Sequence, residues 1–122
     1  MIEKLIARVF ATRNAAHVAH WKAKGMGSFA KHSALGDFYD AIISQLDEIV
    51  EMHQGAFGLI DAVTFPGVTA SPSTIVEHIK AEAEWFEENR SEIAQGVYAI
   101  ENQVDELTGI YLKAYYKLKN LQ

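Results

Sequence analysis

Four residues of this chain could do chemistry together: His20, His32, Asp47 and Glu51, which follow one another at spacings of 12, 15 and 4. Imidazole nitrogens with carboxylate oxygens make a mixed ligand set that suits iron, manganese or zinc. Asp47 and Glu51, four residues apart, share one face of a helix. They sit beside Ile43, Leu46 and Val50, at the border of an apolar stripe, where a carboxylate calls for a cation or a donor to offset lost solvation. The chain contains no cysteine, so thiolate metal sites and disulfides are excluded. An ordinary solvated helix face also carries Asp and Glu four apart, and a histidine near a helix end is commonly structural. The weaker histidines read accordingly: His17 is a further ligand or a packing residue, and His53 and His78 are taken to have no acidic partner at a telling spacing.

The elements that must position these residues are helices. Both prolines, Pro66 and Pro72, fall in one segment, which leaves long proline-free stretches on either side. Helix A is expected over about 2–24, ended by Gly25-Met26-Gly27. Ser28 is placed to cap helix B, which runs to about 54 on an apolar face that includes Phe29, Leu35, Phe38, Ile42, Leu46 and Ile49, with Gly55 and Gly58 closing it. Residues 58–72 form the connection, with a short helical turn in Leu59–Val63. Ser73 caps helix C, and Gly96 ends it. Helix D repeats Val97, Ile100, Val104, Leu107, Tyr111, Ala114, Leu118 and Leu121 in alternating steps of three and four, the signature of bundle packing. Four helices of comparable length, with a connection longer than a hairpin needs, predict a single all-α domain over 1–122: a ferritin-like four-helix bundle with a long B–C crossover. There is no Glu-x-x-His pair, which argues against a di-iron site built inside one bundle.

One chain is not expected to close the four-residue site. His32 and Asp47 lie fifteen residues apart on one helix, about 22 Å along its axis. Two copies of helix B paired antiparallel about a two-fold would bring the histidine end of one to the carboxylate end of the other, giving two identical sites.

The stretch His20-Trp21-Lys22-Ala23-Lys24-Gly25, Phe29, His32, Phe38-Tyr39, Asp47-Glu48 and Glu51 resembles the Dps family, the mini-ferritins. The resemblance covers about 35 residues and keeps the ligand spacings without a gap. It implies a protein that binds ferrous iron at a two-fold interface, oxidises it with hydrogen peroxide and stores ferric mineral in a hollow dodecamer. It further implies His20 and His32 as ligands from one subunit, Asp47 and Glu51 from the other, and Trp21 packed beside the site. The family often carries an Asp four residues after the second histidine; here that position is Gly36, with Asp37 next to it as a further candidate ligand. A Gly36→Asp change is therefore expected to strengthen a second iron position. The short Asn102–Glu106 and Tyr115–Leu118 stretches also resemble small phage-type members.

The net charge is −5, which excludes nucleic-acid binding by a uniformly basic surface and leaves DNA binding weak or absent. Lys113, Lys117 and Lys119 read as a solvated face suited to a helix C-terminus. No long apolar run or signal-like segment is apparent, so a cytoplasmic protein with no membrane contact is expected. The competing reading is a non-catalytic bundle with a structural or interaction role.

Overall fold

The computed structural model describes residues 1–67 and 74–121. Their helices are α1 (Ile2–Trp21), α2 (Ser28–Phe57), α3 (Ile75–Ala94) and α4 (Tyr98–Asn120). Among the described residues there is no strand.

Side-chain pairings give the topology. Arg8 meets Glu82 while Thr12 meets His78, so α1 and α3 run antiparallel. Phe38 meets Tyr111 while Gln45 reaches Gln103, so α2 and α4 do too. Phe86 touches Tyr111 and Arg90 bonds Asp105, making α3 and α4 a third antiparallel pair. The α1–α2 hairpin then leaves α2 and α3 parallel, and the described part of the connection between them, residues 58–67, runs along α1. Its path is marked by the Asp61 amide, which donates to Glu3 at 3.3 Å, and by Phe65, edge-on to Phe10 at 5.4 Å. This is the long crossover of a ferritin-like bundle.

The core follows the periodicity. Leu5 and Val9 of α1, Ile42 and Ile49 of α2, Ile79 and Phe86 of α3, and Ile100, Leu107 and Tyr111 of α4 are fully enclosed. Each such side chain contributes about 1.5–3 kcal/mol through loss of water contact. Tyr111 anchors the centre, edge-on to both Phe38 and Phe86 at 4.9 and 4.7 Å.

Several boundaries differ from expectation. α1 stops at Trp21 rather than near 24, because Lys22 leaves helical geometry and Gly25 takes a φ of +89°. Ser28 is the first residue of α2, not its cap; Gly27, at φ +79°, holds the cap position. α2 runs through Gly55 to Phe57 and ends at Gly58, whose φ of +100° no L-residue adopts without strain. The helices are therefore unequal, at 20, 30, 20 and 23 residues. Leu59–Val63 contains no helical turn; its backbone is engaged instead by Gln54 and Glu3. The expected Ser73 cap lies outside the described residues. Phe29, placed on the apolar face, is 82% exposed.

Candidate metal centre

The α1–α2 hairpin brings His20 and His32 together. His20 is in the last turn of α1 and His32 in the second turn of α2. Each ring bonds through Nδ1 to the main-chain oxygen of the other residue, His20 to His32 at 2.6 Å and His32 to His20 at 2.9 Å. A carbonyl oxygen only accepts, so Nδ1 carries the proton in both rings. In the neutral imidazole this leaves Nε2 as the bare nitrogen, the arrangement by which proteins orient a histidine for a metal.

The two rings lie face to face, with centroids 3.6 Å apart and planes 22° from parallel. A ring nitrogen's lone pair lies in the ring plane. Near-parallel planes at that spacing present the two nitrogens side by side and do not converge them on a single ion.

Gly36 makes this packing possible. A Cβ there would lie 3.1 Å from His20 Cε1 and 3.3 Å from its Nδ1. The ring cannot retreat without losing its bond to His32 and its stack. The position is a clearance for the His20 ring, and an aspartate there has to displace that ring before it can add a ligand.

Around the pair lies an aromatic cluster that includes His17, read from the sequence as a further ligand or a packing residue. His17 stacks on Tyr39 at 4.5 Å and meets Trp21 at a tilt of 41° and 4.1 Å, and Tyr39 meets His20 edge-on at 5.5 Å. Trp21 touches His17 yet stays 66% exposed. Lost solvation, and then the charges of Arg13 and His20, lower the His17 pKa from its usual value, with Asp40 opposing them. As pH falls through the ordinary imidazole range near 6.5, the unfolded chain takes up this proton before the folded one. Stability should therefore drop with acid and carry no His17 contribution above that range. The fall in melting temperature between about pH 7.5 and 5.5 should be smaller in His17→Phe than in the parent chain. Equal falls would contradict the assignment.

Asp47 and Glu51 are exposed on α2, with no ion pair or hydrogen bond to the histidines. Asp37 lines a shallow hollow between α2 and α4 beside Lys113 and Lys117, on a different side from the ring pair. Among the described residues no three His, Asp or Glu side chains converge as a metal-binding group. His53 is buried, with Nδ1 unpartnered.

His78 is a correction to the sequence reading. It bonds Thr12 at 2.8 Å and stands 3.9 Å from Glu82, its neighbour four residues on. That spacing was visible in the sequence.

α2 carries two stripes. Leu35, Phe38, Ile42, Leu46, Ile49 and His53 face the core. Phe29, His32, Gly36, Tyr39, Ile43, Asp47 and Val50 form a second, exposed or half-buried series in steps of three and four. Such a series is a seam suited to another helix. Among the described residues no helix is long and apolar enough to cross a membrane.

The profile of DUF5856, a family of unknown function, matches residues 20–118. No curated protein and no solved structure matches the chain.

Proposed function

We propose that this chain, which belongs to that family of unknown function, binds ferrous iron between two copies of itself and oxidises it with peroxide. The observation that carries this reading is the second stripe of α2. At one end it carries His32, stacked on His20 of α1, each ring with Nδ1 tied to a main-chain oxygen; about 22 Å along it carries Asp47, with Glu51 one turn further on, both exposed. Antiparallel pairing of two such helices supplies each histidine pair with the carboxylates of its partner. It also offers a cover to Phe29 and Trp21, which are 82% and 66% exposed in the single chain.

In this reading iron is the substrate. The near-parallel rings favour two ions, one per imidazole, over one ion held by both. Two ions suit the stoichiometry: each ferrous ion gives one electron to peroxide, the O–O bond breaks, and two ferric ions and two hydroxides result. Asp47 and Glu51 stabilise the ferric product more than the ferrous reactant, because anionic oxygen is the harder ligand. Storage of the product in a hollow shell, a dodecamer by the resemblance to Dps, extends the same proposal, as does a cytoplasmic site of action. DNA plays no part in it, since the net charge is −5.

Light scattering on the purified chain should give a dimer or a larger assembly. Ferrous iron with peroxide should raise absorbance near about 300 nm, as expected for ferric iron with O/N ligands, faster than in buffer alone. A monomer with no rate above buffer would overturn the proposal and leave a structural bundle.

A further inference from the structure

α1 and α3 meet through polar groups. Arg8 donates from Nε and Nη2 to one oxygen of Glu82, at 3.1 and 2.6 Å. The Glu82 side chain is only 7% exposed, and the Arg8 guanidinium lies 4.3 Å over the Trp85 ring. Thr12, fully buried, bonds His78. Beneath them the Tyr111 hydroxyl is sealed from solvent beside Thr12, with Glu82 and Arg8 nearby. Above this floor a cleft of about 700 Å³ opens between α1, α3 and the crossover, within the size range of small-molecule sites. Its walls include Ala7 and Ala11, whose small side chains leave space, along with Pro66 and Trp85.

The formal charges of the lining balance, Lys4 and Arg8 against Glu3 and Glu82, but both acids are already engaged, Glu3 standing 3.7 Å from the N-terminal ammonium. Glu82 is occupied by Arg8, and Glu3 is turned to the crossover, where it accepts the Asp61 amide. Among the described residues Arg8 Nη1 has no hydrogen-bond partner, and Lys4, one turn before Arg8, has no ion pair. Two cationic donors therefore remain for a ligand at the rim of a cleft with flat, apolar walls.

We propose that this cleft is a second site, separate from the histidine pair on the opposite flank of α1, and that it takes a small planar organic anion bearing one carboxylate. The carboxylate pairs with Lys4 and the free edge of Arg8; the ring lies between the alanines and Trp85. Arg8 is already fixed by Glu82 and Trp85, so little ordering is needed on binding.

The test uses the full chain with 2-naphthoate as the probe and the uncharged 2-naphthalenemethanol as its control. Calorimetry should show one saturable site with a Kd of about 1 mM or tighter, as a ligand of that size permits, and the Trp85 indole N–H resonance should move with the same curve. Ala7→Leu, which fills the cleft without touching the ion pair, should weaken binding roughly tenfold, and Lys4→Gln should weaken the acid but not the alcohol. If Ala7→Leu does not fold, Ala11→Leu makes the same test. No saturable binding, binding unchanged by the leucine, or equal binding of acid and alcohol would each overturn the proposal.

Discussion

Asp47→Asn and Glu51→Gln should each nearly abolish peroxide-dependent oxidation of ferrous iron while leaving the melting temperature equal or slightly raised. The amide keeps the shape of the ligand and removes the charge that makes ferric iron the favoured product. Loss of a hydrogen bond in the layer behind metal ligands already costs about 10–100-fold, so a change in a charged ligand should cost at least about 100-fold. Stability should move the other way. Both carboxylates are exposed, so neither is buried at a cost nor held by a donor. They stand four residues apart on α2 beside Glu48, and relief of like-charge repulsion at that spacing is worth about 0.2–0.5 kcal/mol. Activity and stability thus part company, which a purely structural role for these residues would not produce. Variants that oxidise iron as fast as the parent would show that the carboxylates are not part of the site. Histidine changes should be milder, because a neutral imidazole stabilises ferric iron less and water can replace it.

Gly36→Asp should impair the site rather than extend it. The added Cβ meets the His20 ring at 3.1 Å, and the ring is held from behind by its 2.6 Å bond to the His32 carbonyl. The ring must turn, which breaks the bond that leaves Nε2 bare and separates the stacked pair. Loss of one such hydrogen bond is worth about 0.5–1.5 kcal/mol, so the rate should fall by up to about tenfold, less than on loss of a carboxylate. Gly36→Ala isolates the steric part, since it adds the Cβ without the charge, and should lower the oxidation rate in the same direction. Proton NMR should show the His20 Nδ1–H resonance lost or moved in both variants. A faster rate in Gly36→Asp would restore the reading of this position as a missing ligand and refute the clearance.

How far the sequence led can be judged from particular elements. The alternating steps of α4 located Ile100, Val104, Leu107, Tyr111, Ala114 and Leu118, all buried. Such a pattern depends only on which side of one helix faces inward. The spacing of His20 and His32 across a short turn was enough to bring them together, but not to show that each ring is tied to the other's main chain. That bond depends on how α1 unwinds at Lys22 and where Gly27 starts α2. The role of Gly36 was hidden for the same reason, because clearance is a property of two helices packed together. At the α1–α3 contact the failure was different. Thr12 sits in the buried face of α1 and His78 stands four residues before Glu82, so the signal was present. A search for apolar periodicity passes over polar residues that satisfy one another inside a bundle. Phe29 erred in the opposite sense: it belongs to the second stripe of α2, and one helix's period does not say which of two apolar stripes faces its own bundle.

The central claim is that two copies of α2 bring His32 of one to Asp47 of the other. Crystals soaked in ferrous iron and measured at the iron absorption edge test it most directly. The expected result is anomalous density at a two-fold contact, within coordination distance of His20 or His32 from one copy and of Asp47 and Glu51 from its partner. A crystal in which every His32 is distant from every Asp47 of all neighbouring copies, and iron density is absent from the histidine pair, would contradict both the dimer and the site.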